Sequence, residues 1–310
     1  MQHRLEAWIK TELQFKLLEP LQCLQESDIS SWFEGRTKAS NLFVKVSPQT
    51  ALLERRVGQV LSSLAPGFTP DVLGMNVKLG AIVTQKLEAE NLSLELDTNI
   101  WLEAVNRLAQ LPRSSLVWVA ELRLQTLDLP MLLESCNELI GNVQELEFLG
   151  LTPEQITKIQ TLPAKIAVAL EIFQASGLPN TLIHGDFHAN NVLVERGIPI
   201  LIDWSEVALG SPLLDLGRFL EFLRRSNMNT HPARDIENAL IEAFYELWQG
   251  QASRESFFAA ARVAPLIATL VFAARAWQRE TQKAPFMVAY HLKRAVKMIE
   301  LTPNQAPSPD

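Results

Sequence analysis

The chain has 310 residues, of which 47% are hydrophobic and 20% are charged, and its formal net charge is −7. This length and composition support one or more packed domains, which excludes an intrinsically disordered protein and a small disulfide scaffold. The negative charge would repel a phosphate backbone, so we expect no nucleic acid partner.

The two cysteines, Cys23 and Cys136, form no CxxC pair, which is typical of ordinary thiols in a reducing compartment. Charges interrupt the apolar positions at the amino terminus, unlike a secretory signal. The longest apolar run, between Arg262 and Arg275, is shorter than the roughly 20 residues that cross a bilayer. We therefore expect a cytoplasmic protein without a membrane partner. The oligomeric state is not readable from the sequence.

Hydrophobic spacing predicts the first helix over Gln2–Lys16, where leucine and isoleucine recur every four residues. Short segments with the composition of strands follow, and the clearest is NLFVKV, residues 41–46. Ser47-Pro48 then gives a helix start, and the apolar row between Leu53 and Leu64 predicts the helix itself. The segment AIVTQ, residues 81–85, is predicted as a further strand.

From about Asn91 the spacing becomes helical and stays so to Leu301, interrupted once by a loop and a β-hairpin. The sequence therefore predicts an α+β fold with two lobes. The small, β-rich amino-terminal lobe is expected over residues 1–88, and the larger, mainly helical lobe over residues 89–301. Residues 302–310 have the composition of a flexible tail.

The loop and hairpin that interrupt the helices carry a set of oxygen-bearing side chains. The loop HGDFHANN contains Asp186 and Asn191, and Asp203 follows at the end of the second hairpin strand. Because paired strands lie about 4.8 Å apart, the hairpin brings Asn191 and Asp203 close together. A carboxylate and an amide oxygen suit Mg²⁺, which takes its other ligands from water and nucleotide phosphates. Asp186 is left as a general base, as in phosphoryl transfer by protein kinases.

These segments resemble the aminoglycoside phosphotransferase and choline kinase family, which has a protein-kinase-like fold. HGDFHANN, ILIDW and GSPLLDLGRF occur in the order of the family signature, which is HGDxxxxN followed by I-D-W or I-D-F. The resemblance implies that Asp186 is the catalytic base, that Asn191 and Asp203 bind magnesium, and that Asp215 braces the loop. The alternative is a purely structural hydrogen-bond network in which Asn191 caps a turn.

Two histidines lie in the same loop. His184 precedes Gly185 at the start of a tight turn, and we expect it to support the loop by holding backbone carbonyl groups. His188 is either structural or shapes the acceptor site, and a direct chemical role is the remaining alternative.

A kinase also needs a cation on a strand to hold the triphosphate and an acid on the next helix to fix that cation. Lys45, within NLFVKV, and Glu54, on the following helix, fit these positions. The sequence has neither GxGxxG nor the P-loop motif, which excludes a P-loop ATPase. Ser27, between the first two strands, could approach phosphate or could belong to an ordinary serine-rich turn.

The predicted function is ATP-dependent transfer of the γ-phosphate to a hydroxyl of a small molecule. The resemblance implies an aminoglycoside, choline, ethanolamine or another small alcohol as acceptor. Adenine is expected against the connection between the lobes, at Gln85 and Leu87. Possible acceptor contacts are His188, Trp204 and Glu206, although Trp204 could instead pack in the core.

Glu221 and Asp235 are further acids that could bind an amine, although acids on helices are usually solvated. Two other functions remain open. The first is a kinase-like protein that has lost turnover and acts as a nucleotide sensor or scaffold. The second is a two-metal phosphoesterase with ligands from His184, Asp186 and His188, for which the sequence lacks further ligands at suitable places.

Overall fold

The structure is a computed structural model that describes most of the chain. The described residues are 1–26, 30–47, 51–114, 122–225, 231–278 and 284–301. Ser27, Pro48 and the tail predicted over residues 302–310 lie outside them.

Contacts divide the chain into two compact units. The first contains Met1–Leu124 and His184–Ala208, and the second contains Gln125–Ile183 and Leu209–Asp310. These units are defined by contacts, whereas the boundary predicted near Glu88 separates two lobes, and that boundary stays a prediction.

The elements are numbered in chain order. The strands are β1 (Gln22–Glu26), β2 (Ser31–Arg36), β3 (Asn41–Val46), β4 (Val72–Asn76), β5 (Ala81–Gln85), β6 (Glu90–Asn91), β7 (Thr181–Ile183), β8 (Val192–Glu195), β9 (Ile198–Leu201) and β10 (Ala208–Gly210). The α-helices are α1 (Gln2–Thr11), α2 (Ala51–Leu64), α3 (Thr98–Ser114), α4 (Leu129–Gly141), α5 (Val143–Phe148), α6 (Pro153–Ile159), α7 (Leu162–Gln174), α8 (Leu213–Leu223), α9 (Glu237–Glu246), α10 (Arg254–Gln278) and α11 (Ala284–Leu301). The predicted strands at 41–46 and 81–85 are therefore present with the predicted bounds.

The first unit is built on an antiparallel sheet with the strand order β1-β2-β3-β5-β4. Side chains of β3 alternate strictly between buried and half-buried. The buried face, with Leu42 and Val44, packs against Leu5, Trp8 and Ile9 of α1. Because side chains in a strand alternate between faces, Lys45 lies on the opposite, half-buried face of the sheet.

Helix α1 is shorter than predicted. It ends at Thr11 rather than continuing to Lys16, and Gln14 has a positive φ of 59° that no helix residue adopts. Leu13 and Leu17, which suggested the longer helix, are partly buried and pack against the same core from the segment after the helix, where Leu17 forms a β-bridge with Thr37. Their four-residue spacing therefore reflects packing on this core, not a continuous helix.

The second unit is mainly helical and is built around α10. Helices α4, α7, α8 and α11 all pack against it. Helix α8 approaches so closely that a Cβ on Gly217 would lie 2.4 Å from the carbonyl oxygen of Ala264. Strands β7 and β10 pair as a short two-stranded sheet.

Helix α10 contains the longest apolar run of the sequence. It continues through Pro265, so the run is part of a 25-residue helix. Among the described residues, it is the one helix whose length and composition would allow it to cross a membrane, and 67% of its most apolar window is buried inside the protein. A helix buried in the core of a protein can have the same length and apolar composition as a membrane span.

The fold is therefore α+β, with a small antiparallel sheet in the amino-terminal part and a larger helical region, as predicted.

Candidate active site

The second residue of the loop between β7 and β8 is a glycine, Gly185, that its surroundings require. Gly185 has a φ of +83°, and a Cβ at this position would lie 2.0 Å from the carbonyl oxygen of Glu206. Any other residue would meet both a left-handed backbone conformation and an overlap with main chain. Gly185 therefore fixes where the loop turns before Asp186.

His184 connects this loop to the end of β9. It is 1% exposed, its Nε2 lies 2.9 Å from the carbonyl oxygen of Ile202, and its Nδ1 lies 3.4 Å from the amide nitrogen of Asp186. These partners define a neutral ring in which Nε2–H donates and Nδ1 accepts. Burial lowers the pKa of His184, and the negative charges of Asp186 and Asp203 oppose that shift without cancelling it.

The His184 ring is also packed on its sides. The ring of Trp204 lies 4.5 Å from it and that of Phe187 lies 6.2 Å away, centroid to centroid. With both nitrogens engaged and the ring enclosed, His184 supports the loop, and this arrangement disfavours its use as a metal ligand in a phosphoesterase.

Asp186 presents a partly exposed carboxylate, with 23% of its side chain accessible. Nδ2 of Asn191 donates to the backbone oxygen of Asp186 at 2.9 Å and approaches its Oδ2 at 3.4 Å. Nε2 of His188 lies 3.5 Å from the same Oδ2. Asn191 and His188 thus flank the carboxylate of Asp186, and the firmer contact of Asn191 is with the Asp186 main chain.

The hairpin of β8 and β9 joins Asn191 to Asp203 as predicted. The strands pair from Val192↔Leu201 to Glu195↔Ile198, and the turn residues Arg196 and Gly197 both have positive φ. This pattern is that of the two-residue turns that match the twist of a hairpin.

The open end of the hairpin carries the two predicted metal ligands. The amide of Ile202 donates to the oxygen of Asn191 at 2.9 Å, so the main chains next to Asn191 and Asp203 are hydrogen-bonded. Asp203 itself adopts a left-handed conformation, with φ 61° and ψ 67°, which Asp and Asn tolerate better than most residues.

Lys45 lies between two carboxylates. Its Nζ lies 2.8 Å from Oε1 of Glu54 and 2.9 Å from Oδ1 of Asp203. The Lys45 and Glu54 side chains are 13% and 9% exposed, whereas that of Asp203 is 36% exposed. Helix α2 also packs against the short helix Trp204–Glu206 that follows Asp203. The cation on β3, the acid on α2 and the acid after β9 therefore form one cluster.

The pKa values of this cluster reflect burial and mutual charge. Burial lowers the pKa of Lys45, but the two carboxylates outweigh it and the net shift is upward. Burial raises the pKa of Glu54, and the Lys45 charge offsets only part of that rise. Burial also raises the pKa of Asp203, but the charge and hydrogen bond of Lys45 reverse the shift, so the pKa ends below its ordinary value. Lys45 is thus held as a cation and Asp203 as an anion.

Gln85 and Leu87, predicted to contact adenine, lie at the end of β5 and just after it. Gln85, at the end of β5, donates its backbone amide to the oxygen of Asp71, and Lys86 donates to the oxygen of Asn41. A cleft of about 640 Å³ lies beside the segment that follows β5. It is lined by Gln85 and Lys86 together with residues 37–41, 88 and 195–196. Leu87 is half-buried.

Two of the predicted acceptor contacts are buried. Trp204 is 2% exposed and packs on His184, so its ring has no free surface here and the packing alternative describes its position. Glu206 is 9% exposed, and its carbonyl is the one that approaches Gly185. The acceptor roles of His188 and Glu206 stay predictions.

The remaining acids belong to the second unit. Asp215 is 2% exposed in the first turn of α8, and its bracing of the loop stays a prediction. Glu221 is 1% exposed and forms ion pairs with Arg218, Arg225 and Arg294 at 2.8, 3.2 and 3.0 Å. Three guanidinium groups surround Glu221, so its carboxylate is engaged by arginines and is a poor candidate for binding an amine. Asp235 is exposed.

The sequence profile of the phosphotransferase enzyme family matches residues 29–257, which is more than half of the chain. The chain belongs to this family. No curated protein shows a significant sequence match to it.

Solved structures show that the fold of this family member is that of small-molecule kinases. A choline/ethanolamine kinase family protein from Mesorhizobium loti superposes with a TM-score of 0.69 at 15% identity, over 97% of this chain and 95% of that one. Choline kinase from Streptococcus pneumoniae gives 0.61 at 16% identity, over 97% and 99%. A spectinomycin phosphotransferase, solved with ADP and spectinomycin, gives 0.63 at 13% identity, over 97% and 99%. At these identities the likeness shows the fold, which is the protein-kinase-like fold predicted from the motifs.

Sequence reasoning missed some contributors to the site of this phosphotransferase family member. The carbonyl of Ile202 bonds to His184, and the carbonyl of Glu206 leaves no room for a side chain at position 185; contacts of carbonyl groups leave no signal in residue type. The direct contact between Lys45 and Asp203 was also missed, although both residues had been singled out. Within the described residues, no group of three or more His, Cys, Asp and Glu side chains is arranged to hold a metal ion.

Proposed function

We propose that this protein is an ATP-dependent phosphotransferase that moves the γ-phosphate to a hydroxyl of a small molecule. One observation carries the proposal: Nζ of Lys45 lies within 2.9 Å of both Glu54 and Asp203. Phosphoryl transfer in kinase-like folds needs a strand lysine fixed by a helix acid, next to an acid that binds metal. Family membership and the kinase-like fold support the same function.

Lys45 is suited to hold phosphate oxygens. Glu54 is nearly buried and keeps the ammonium on the half-buried face of the sheet. A lysine ammonium has three donors, and the contacts with Glu54 and Asp203 leave capacity for a phosphate oxygen. The side chain is thus positioned before a nucleotide binds, which lowers the entropic cost of recruiting it.

Asn191 and Asp203 fit a magnesium ion by the chemistry of their donors. Both contacts of Asn191 Nδ2 are acceptor oxygens of Asp186, so the amide must be oriented with its Oδ1 directed elsewhere. That oxygen and the partly exposed Asp203 carboxylate are hard ligands of the kind that Mg²⁺ prefers. Bound there, the ion would neutralise charge on the nucleotide phosphates.

Asp186 is proposed as the general base that accepts the proton of the acceptor hydroxyl. It is the acid of the loop, its side chain is partly exposed, and Asn191 and His188 lie within 3.5 Å of its carboxylate. Most of the rate enhancement should come from positioning and electrostatics, because the transferred phosphoryl group passes through a loose transition state.

Base recognition is proposed at the connection after β5. Strand pairing uses the amides of Gln85 and Lys86, so the backbone of Leu87 is the next candidate for hydrogen bonds to adenine. Ser27 is kept as a candidate phosphate contact from the sequence alone. The acceptor class is proposed as a small hydroxylated molecule, as in the choline and spectinomycin kinases with the same fold.

Loss of turnover is the alternative, and the candidate site argues against it. Kinase-like proteins without activity commonly lack one of the base, metal or lysine positions. Here Lys45, Glu54, Asp186, Asn191 and Asp203 are all present, and Lys45, Glu54 and Asp203 are in direct contact.

The test is ATP consumption, measured as ADP formation with Mg²⁺, across a library of hydroxylated metabolites and antibiotics. With an acceptor in hand, Asp186→Ala should lower turnover by about two to four orders of magnitude while nucleotide still binds. Asn190→Ala is the matched control, because Asn190 is exposed in the same loop. Turnover in Asp186→Ala equal to that of the control would remove Asp186 from the role, and no acceptor-dependent ADP across the library would favour the inactive alternative.

A further inference from the structure

Arg55 is a buried cation that the proposed mechanism does not use. It follows Glu54 on α2 and is 2% exposed, yet its Nε and Nη1 have no hydrogen-bond partner. A charged group that is buried without hydrogen-bond partners destabilises the folded state. Unsatisfied buried groups are rare in folded proteins, so this arginine calls for a partner of its own.

The guanidinium lies towards the amino end of α2. A Cβ on Gly80 would lie 3.8 Å from Nη1 of Arg55, and the oxygen of Gly80 accepts from the amide of Ser47. Ser47 lies four residues before Ala51, where α2 begins. Helical side chains lean towards the amino terminus of their helix, so the direction of Arg55 is the one expected.

The surrounding charge favours an anion at this place. The amino end of a 14-residue helix carries a partial positive charge, which adds to that of the guanidinium. The acid whose charge acts on Arg55 is Glu54, and its Oε1 is already bonded to Nζ of Lys45 at 2.8 Å. Burial lowers the pKa of Arg55 and Glu54 opposes this shift, but an arginine remains charged at any physiological pH.

We propose that Arg55 anchors a binding site for a small tetrahedral oxyanion, such as inorganic phosphate, at the amino end of α2. A guanidinium presents its N–H groups in a planar fork that matches two oxygens of such an anion. The anion would supply acceptors for Nε and Nη1 and neutralise the buried charge. The proposal rests on Arg55 and does not depend on the proposed reaction.

The test uses the full chain without nucleotide and measures Tm against inorganic phosphate, with chloride at equal ionic strength as reference. A ligand at about twenty times its dissociation constant should raise the Tm by about 2–6 °C. Arg55→Met should lose this rise. Because the replaced charge is buried, its Tm in chloride should equal or exceed that of the wild type. Arg56→Gln is the matched control, because Arg56 is the next residue on α2 and is exposed.

A phosphate ion could also bind at the nucleotide site, and Lys45→Met separates the two sources. The proposal expects the Tm rise to persist in Lys45→Met and in Arg56→Gln, and to vanish in Arg55→Met. A rise that vanishes only in Lys45→Met would overturn it, as would a wild type that responds equally to phosphate and chloride. If Arg55→Met does not fold, Arg55→Lys, which keeps the charge without the fork, should show a smaller rise than Arg56→Gln, and an equal rise would contradict the proposal.

Discussion

Replacing Gly185 by alanine tests whether the main chain of the loop fixes the site. The new Cβ would lie 2.0 Å from the oxygen of Glu206, whereas real Cβ contacts are not shorter than 3.0 Å, so loop and carbonyl must separate by about 1 Å. The left-handed conformation adds about 1–2 kcal/mol for a residue with a Cβ. Overpacking against rigid surroundings adds about 1–3 kcal/mol. We expect Gly185→Ala to lower the free energy of unfolding by about 2–5 kcal/mol.

The chain provides a matched control for this substitution. Gly197 has a φ of +79°, close to that of Gly185, but a Cβ there would have no atom within 4 Å. Gly197→Ala therefore carries the cost of the conformation without the overlap, about 1–2 kcal/mol. Both residues belong to the same compact unit, so the difference between the variants isolates the contact with Glu206.

The assay is thermal or urea unfolding of both variants, followed by turnover once an acceptor is known. A displacement of about 1 Å next to Asp186 should also lower turnover by about 100-fold in Gly185→Ala. Gly197→Ala should keep turnover near that of the wild type. Equal stability and equal turnover of the two variants would refute the claim that the Glu206 carbonyl fixes this loop.

Three further substitutions test other contacts. Asp203→Asn keeps a residue that tolerates the left-handed backbone, and should weaken Mg²⁺-dependent nucleotide binding about 10- to 100-fold in calorimetry with and without the metal; equal affinity would contradict its role. His184→Ala should cost about 2–4 kcal/mol of unfolding free energy. Burial holds the folded-state pKa of His184 below 6.5, so the wild type loses stability as pH falls through about 6.5, and unfolding measured against pH should show a smaller loss in His184→Ala. Gly217→Ala would place a Cβ 2.4 Å from the Ala264 oxygen and should lower the Tm, whereas Gly141→Ala, with nothing within 4 Å, should not; similar Tm values would contradict this close approach.

Local patterns were sufficient to bring Lys45 and Glu54 together. The alternation in NLFVKV places Lys45 on one face of a strand, and the apolar row of α2 places Glu54 beside the residues that pack on the sheet. Both periodicities are local, and the structure has the expected contact at 2.8 Å. The hairpin from Asn191 to Asp203 followed in the same way from strand composition around a short turn.

The features that sequence reasoning missed depend on tertiary contacts. Leucines at a four-residue step suggested helix beyond Thr11, but Gln14 turns the chain and Leu13 reaches the same core from outside the helix. Glu221 was considered for amine binding because it is an acid on a helix, and only the folded chain shows three arginines around it. The sequence pattern of a helix does not indicate which side chains will surround an acid in the folded protein.

The contact between Lys45 and Asp203 assigns different tasks to the two acids of the cluster. The carboxylates of Glu54 and Asp203 and the ammonium of Lys45 together carry one excess negative charge. Because the cluster is partly buried, this charge favours binding of a further cation. Glu54 is 9% exposed, so a metal ion has little access to it, and its contact with Lys45 at 2.8 Å offsets part of the rise in pKa that burial causes. Asp203 is 36% exposed and its pKa is lowered, so it stays ionised where a metal ion can reach it. Burial thus distinguishes the acid that positions Lys45 from the acid that is proposed to bind magnesium, a distinction that residue type alone does not make.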